Sequence, residues 1–142
     1  MADNVELHYI VDGTDFMSAG EASGEVKKVM KRLGYSPETI RKTSIAMYEG
    51  EINMVIHANG GEADVILSPE SVEIILTDYG PGIPDVELAM REGFSTAPDN
   101  VRSLGFGAGM GLPNMKKYTD EMNIETKLGQ GTKITMKIYV EQ

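Results

Sequence analysis

Two pairs of short strand-like segments, each pair joined by a tight turn, constrain the fold of this 142-residue chain more than any other feature. ADVIL and VEIILTD flank the turn SPES (68–71), and NIETKL and TKITMKIYV flank GQG (129–131). Apolar residues at every second position within such segments are typical of half-buried strands. Because turns this short join neighbouring antiparallel strands, the sequence predicts two β-hairpins.

The part of the chain before the first hairpin is predicted to contain a strand and two helices. VELHYIV (5–11) alternates like a half-buried strand, whereas residues 18–33 carry apolar residues at helical spacing and end before Gly34, which suits a helix cap. A second helix is predicted from Pro37, which follows Ser36, to about Ala58, where Asn-Gly-Gly breaks it.

Two shorter helices are predicted between the hairpins, one near residues 85–93 and one from Pro113 to Glu121. The order of elements is then a strand, two helices, a hairpin, an irregular stretch, a helix and a hairpin. We therefore predict an α+β fold, a two-layer sandwich in which helices cover one face of a mixed, mostly antiparallel sheet. With no linker or repeat in the sequence, we expect one domain over residues 1–142.

Composition excludes several classes of function. The chain has no cysteine, so disulfides, thiolate zinc sites and cysteine nucleophiles are excluded. A net charge of −9 disfavours nucleic acid as a partner and indicates either solubility or a basic protein partner. No leader or membrane-spanning segment is apparent in the sequence, so we expect a cytoplasmic protein that does not bind membranes.

Polar residues run along one flank of the predicted second helix. Its core stripe is predicted to comprise Ile45, Tyr48, Ile52 and Val55. Glu49, Asn53 and His57 form a parallel row, each four residues from the last and turned about 40° from that stripe. Glu51 projects about 200° from Glu49 and is interpreted as a solvated charge. From spacing alone, the row is either a helix flank at the edge of solvent or one wall of a site.

Two polar residues share the buried faces of predicted strands. Asp78 has the same parity as the apolar residues of VEIILTD, so its carboxylate needs a hydrogen-bonding partner, supplied by the backbone, water or a ligand. Gly80 and Gly82 follow it and would let a flat ligand approach the main chain. Thr132 points its hydroxyl to the core face directly after a glycine, a position that packing alone also explains.

Glycine occupies every second position in GFGAGMG (105–111), which leads into the helix predicted from Pro113. A P-loop would follow a strand and end in Gly-Lys-Ser or Gly-Lys-Thr. GFGAGMG follows an irregular stretch and continues as Leu-Pro, so it is not interpreted as a P-loop.

Four motifs resemble the ATP-binding domain shared by gyrase, the Hsp90 chaperone, histidine kinases and the mismatch-repair ATPase MutL. They are AMYEGEINMVIHANG, TDYGPGIPD, GFGAGMGL and GQGT, in the order that this superfamily has them. The resemblance covers residues 5 to 140. Since the chain has no room for a further catalytic or dimerising domain, it is most similar to the branch of bacterial anti-sigma factors and stressosome switch kinases, which are serine protein kinases.

The resemblance implies a set of roles for the motif residues. Asp78 would accept a hydrogen bond from the adenine amine, in a pocket shaped by Gly80, Gly82 and Thr132. Asn53 would be the Mg²⁺ ligand, and Glu49 would deprotonate a serine hydroxyl of a partner protein. GFGAGMG would be the hinge of a phosphate lid, with residues 94–104 as its moving part. The lid and the start of the next helix would bind the ATP phosphates through Gly105, Gly107, Gly109, Gly111 and Leu112.

A lid arginine near the γ-phosphate is also implied, and Arg102 is the nearest candidate, although it lies farther from the last glycines than the family pattern has it. Arg91 and Lys116 are the alternatives. ATP and Mg²⁺ are thus the expected ligands, and the expected partner is a small anti-sigma-factor antagonist or a sigma factor. A non-catalytic switch that reads ATP against ADP, the catalytic subunit of a split histidine kinase and a homodimer all stay open.

Overall fold

Five antiparallel strands form a single sheet in the computed structural model, which describes residues 4–13, 19–58, 60–90 and 111–140. The strands are β1 Val5–Asp12, β2 Gly60–Leu67, β3 Ser71–Asp78, β4 Glu121–Lys127 and β5 Gly131–Tyr139. The helices of the described residues are α1 Glu21–Leu33, α2 Pro37–Ala58, α3 Val86–Ala89 and α4 Gly111–Lys117.

The strands lie in the order β1-β2-β3-β5-β4, and every neighbouring pair is antiparallel. Both predicted hairpins are confirmed, as β2–β3 and β4–β5. Pairing of β3 with β5 brings together two strands that are far apart in sequence and sets Asp78 opposite Thr132. The polar residues predicted on two separate buried faces therefore lie side by side.

Helices cover one face of the sheet, as predicted. The long helix α2 lies between α1 and α4 and contacts the central strands beneath it. Alternate residues of β3, Val72, Ile74 and Leu76, are buried under it, whereas Glu73, Ile75 and Thr77 on the opposite face are partly exposed. The hydrophobic core therefore lies between one sheet face and the helices, in a two-layer α+β sandwich.

Closest packing of α2 on the sheet occurs at Gly50. A Cβ atom at this position would lie 2.1 Å from Leu76 Cδ1 and 3.4 Å from Met115 Sδ. Because real Cβ atoms do not approach so closely, the absence of a side chain lets the middle of α2 rest on β3. This approach fixes the height of the neighbouring Glu49 above the sheet.

The structure corrects two details of the predicted helices. The last helix begins at Gly111 and ends at Lys117, whereas we predicted Pro113 to Glu121; Glu121 instead opens β4. Proline is tolerated at the third helical position because the first N–H groups of a helix have no partner within it. Tyr48, predicted in the core stripe of α2, is 39% exposed, and its ring lies against Gly20 at the start of α1.

Two further helix limits differ from the predictions, and others agree. The helix α1 begins at Glu21 rather than at residue 18, because Gly20 is left-handed with φ 101°, and α3 ends at Ala89, before its C-cap Met90. Gly34 ends α1 in a left-handed conformation with φ 85°, as expected of a helix cap. Asp85 caps the short helix α3 through a hydrogen bond from the Leu88 N–H. Residues 91–93, at the end of that predicted helix, lie outside the described residues.

Candidate nucleotide site

Asp78 ends β3 with its carboxylate held by two backbone N–H groups. Its Oδ1 accepts from the Gly80 N–H at 3.0 Å and from the Thr132 N–H at 3.1 Å. One oxygen thus accepts both bonds. The Gly80 N–H belongs to the turn after β3, and the Thr132 N–H belongs to the neighbouring strand β5. The carboxylate is therefore fixed in orientation, and its second oxygen, Oδ2, accepts neither of these two bonds.

A second polar cluster continues the site across β4. Thr132, only 6% exposed, lies with its hydroxyl 2.9 Å from that of Thr126, and Thr126 Oγ1 accepts from the Ile83 N–H at 2.8 Å. Thr126 was not predicted. Its signal in the sequence is weak, since a threonine in a strand is common, and only the β4–β5 register places it opposite Thr132.

Gly80 and Gly82 both lie in close contact with neighbouring parts of the chain. A Cβ at Gly80 would lie 2.6 Å from Ala58 Cβ, and one at Gly82, where φ is 82°, would lie 2.7 Å from the Lys127 carbonyl oxygen. Packing against the end of α2 and against β4 thus accounts for both glycines. Room for a ligand is not needed to explain them, and the prediction that they shape a nucleotide pocket stays a prediction.

Glu49 and Asn53 lie where α2 meets the start of α4. A Cβ at Gly111 would lie 3.8 Å from Glu49 Oε2 and 4.0 Å from Asn53 Oδ1, so both oxygens lie close to the first residue of α4. Asn114 lies three residues after Gly111 in α4, and its Nδ2 donates to Glu49 Oε1 at 3.4 Å. The structure therefore brings together Glu49, Asn53 and Gly111.

The polar row on α2 connects this carboxylate to Asp78. His57 continues the row of Glu49 and Asn53 and interacts electrostatically with Asp78. The eight residues from Glu49 to His57 correspond to about 12 Å along the helix. The polar row thus extends from Glu49 to the residue that interacts with Asp78.

Burial alters the ionisation of two residues in this row. It raises the pKa of the Glu49 carboxyl, and the hydrogen bond from Asn114 acts in the opposite direction. It lowers the pKa of His57, and the negative charge of Asp78 offsets part of that effect. Glu49 is consequently a stronger base than a free carboxylate, and His57 favours its neutral form.

The prediction that Glu51 is a solvated charge is wrong. Its side chain is 2% exposed, and its two oxygens accept from the Gly20 and Ser23 N–H groups, each at 2.6 Å. Burial raises the pKa of Glu51, while these backbone donors and that of Ala22 favour the charged form. Glu51 does point away from Glu49, but α1 occupies that side of α2, and the carboxylate caps the start of α1.

The remaining predicted residues fall into two groups. Arg102, its alternative Arg91, and the lid glycines Gly105, Gly107 and Gly109 lie outside the described residues. Leu112 is buried in the core, and Lys116 lies exposed in the last turn of α4.

The donor set of the site suits Mg²⁺ held jointly with phosphate. Within residues 4–13, 19–58, 60–90 and 111–140, no three His, Cys, Asp or Glu side chains are grouped closely enough to hold a metal by themselves. The amide oxygen of Asn53 and the carboxylate oxygen of Glu49, both near Gly111, are instead hard oxygen donors of the kind that suits an ion that keeps most of its water. The residues present therefore fit a nucleotide-bound magnesium ion.

Comparison with known proteins assigns the family. The model of histidine kinase-, DNA gyrase B- and HSP90-like ATPases matches residues 45–142, which include Glu49, Asn53, Asp78 and Thr132. The chain belongs to this ATPase family.

Curated relatives of this chain include a serine/threonine-protein kinase and anti-sigma F factors. The chain is 31% identical over 112 residues to the serine/threonine-protein kinase RsbT of Bacillus subtilis, a match that covers 76% of this chain and 78% of RsbT. It is 32% identical over 118 residues to the anti-sigma F factor of Clostridium novyi, covering 79% of each. The predicted resemblance to the anti-sigma factor and switch-kinase branch is thus confirmed.

Solved structures support the same fold. The crystal structure of the RsbU and RsbW domains of a Mycobacterium tuberculosis protein matches 97% of this chain and 33% of that one, with a TM-score of 0.65 and 16% identity. The mycobacterial sensor histidine kinase MprB matches 99% of each chain, with a TM-score of 0.55 and 18% identity.

In the part of this chain that the structure describes, none of the helices has the length and apolar character needed to cross a bilayer.

Proposed function

We propose that this ATPase-family chain is a serine/threonine protein kinase of the anti-sigma factor type, which phosphorylates a small antagonist protein and binds that antagonist or a sigma factor. Its relatives named serine/threonine-protein kinase and anti-sigma F factor support this reading. The observation that carries it is the Glu49 carboxylate beside Asn53 and Gly111. Nucleotide binding alone does not require a base at this place.

Asp78 is proposed to select adenine. Its Oδ1 is engaged by the backbone of Gly80 and Thr132, so Oδ2 would accept the hydrogen bond from the adenine amine. The linked hydroxyls of Thr132 and Thr126 would complete this end of the site, in part through water. A hydrogen bond to a charged group contributes about 1.5–3 kcal/mol.

Glu49 is proposed to act as the general base at the other end of the site. It would take the proton of the partner's serine hydroxyl while the serine Oγ–phosphorus bond forms and the bond from the γ-phosphorus to the bridging oxygen breaks, releasing ADP. Mg²⁺ held by Asn53 and the phosphates would offset the charge that develops on the phosphate oxygens. A positioned base accounts for a rate factor of about 10² to 10⁴.

Protonation of Glu49 sets the expected pH dependence. The base works only when ionised, and burial raises its pKa above the ordinary glutamate value. Phosphotransfer should therefore fall as the pH is lowered through that raised pKa, at a higher pH than an exposed carboxylate would give.

The decisive experiment is incubation with γ-labelled ATP, Mg²⁺ and candidate small antagonist proteins encoded by neighbouring genes. Label on a partner serine is expected, and Glu49→Gln should reduce its transfer at least about 100-fold with unchanged ATP affinity by calorimetry. The matched control is Glu73→Gln on the opposite sheet face, which should transfer normally. Nucleotide-dependent association without label would instead favour a non-catalytic switch, and acid-labile label on a partner histidine would favour a split histidine kinase.

A further inference from the structure

Asn114 is the residue of α4 that binds the proposed base. Its Nδ2 lies 3.4 Å from Glu49 Oε1, and 65 residues separate the two in the chain. Asn114 was not predicted as a site residue, because nothing in its local pattern distinguishes it from other polar residues of a helix. Its role follows only from the packing of α4 against α2.

The two oxygens of Glu49 have different surroundings. Oε1 faces the Asn114 amide, whereas Oε2 faces the position where a Cβ of Gly111 would lie, 3.8 Å away. Asn53 Oδ1 lies 4.0 Å from that same position. Oε2 therefore lies near Gly111 together with the proposed magnesium ligand, whereas Oε1 binds the Asn114 amide.

We propose that Asn114 is a positioning residue that binds Oε1 of Glu49 and thereby directs Oε2 towards the serine hydroxyl. This proposal rests on the proposed kinase function. An amide suits the task because its Nδ2 donates to the carboxylate without adding a charge. The same bond favours the ionised form of the base, which counteracts part of the effect of burial.

A merely structural role for Asn114 is the competing explanation. However, α4 is already anchored by the buried side chains of Leu112 and Met115, which lie in the core. Asn114 itself is only partly buried. Removing its amide should therefore change the orientation of Glu49 without detaching the helix.

The kinetic test compares Asn114→Leu, which keeps the side-chain size and removes the donor, with Asn123→Leu on the exposed face of β4. Asn114→Leu should lower the rate of phosphotransfer at saturating ATP between about twofold and tenfold, the worth of one hydrogen bond, while KM for ATP and the melting temperature stay unchanged. Asn123→Leu should change none of these. In the Glu49→Gln background, Asn114→Leu should cost nothing further, because the base it positions is gone.

Two results would overturn the proposal: an equal loss in both backgrounds, or a loss that follows ATP affinity or melting temperature. A second measurement does not depend on activity. In ¹⁵N-labelled protein, the side-chain amide signals of Asn114 should shift on Glu49→Ala, and those of Asn123 should not. If no partner is phosphorylated, the kinase function fails, yet this shift still decides whether Asn114 binds Glu49; its absence would refute the contact.

Discussion

Asp78→Asn tests the adenine assignment with little change of shape. The asparagine amide can adopt two orientations in the wild-type environment. With its oxygen at the Oδ1 position it accepts from the Gly80 and Thr132 N–H groups, whereas the flipped amide would set a donor against two donors. The backbone therefore fixes the orientation and places the new NH₂ group where the wild type has Oδ2.

The expected loss follows from this fixed orientation. The NH₂ group would face the adenine amine, donor against donor, and the hydrogen bond of about 1.5–3 kcal/mol to the carboxylate disappears. ATP affinity should thus fall between about 10-fold and 150-fold. Since the two backbone bonds weaken from charged to neutral, the free energy of unfolding should fall by only about 1 kcal/mol.

Guanine provides an internal check on the same variant. It carries an acceptor oxygen where adenine carries the amine, so the asparagine NH₂ group can donate to it. The ratio of ATP affinity to GTP affinity should therefore decrease in Asp78→Asn. A general disturbance of the site would weaken both nucleotides equally.

Calorimetry with ATP, GTP and Mg²⁺ measures these affinities, and urea unfolding confirms that the variant is folded. Asp64→Asn is the matched control, since Asp64 lies on the partly exposed sheet face and binds His8 at 2.6 Å. Its ATP affinity should stay within about twofold of the wild type, because surface changes away from a site have small effects. Wild-type ATP affinity in a folded Asp78→Asn, or an unchanged ATP to GTP ratio, would refute the adenine assignment.

Three further variants test the packing that positions the site, each by urea unfolding. Gly50→Ala should lower the free energy of unfolding by about 1–2 kcal/mol, because its Cβ would overlap Leu76 and outweigh the gain in helix propensity. Gly24→Ala, where a Cβ meets nothing within 4 Å, is the control and should raise the free energy of unfolding by about 0.5–1 kcal/mol. Changes of the same sign at both glycines would contradict the packing argument. Glu51→Ala should lower the free energy of unfolding by about 2 kcal/mol, because the Gly20 and Ser23 N–H groups lose their acceptor. A change below about 0.5 kcal/mol, typical of a solvated charge, would contradict the capping role.

Local pattern was sufficient to predict most of the fold. Both hairpins, the parity of Asp78 and Thr132, and the long helix to Ala58 follow from periodicity and turn chemistry, which act within a few residues. The boundaries of α4 were predicted less well, because Pro113 is compatible with several positions in a first helical turn.

The sequence by itself determined which residue types stand at the nucleotide motifs and on which face of each element they lie. Only the tertiary structure decided their partners: Asp78 with the Thr132 backbone, Glu49 with Asn114, and Glu51 with the start of α1. The physical reason is distance along the chain. Periodicity gives the direction in which a side chain points, but what it meets there depends on how elements 28 to 65 residues apart pack against one another.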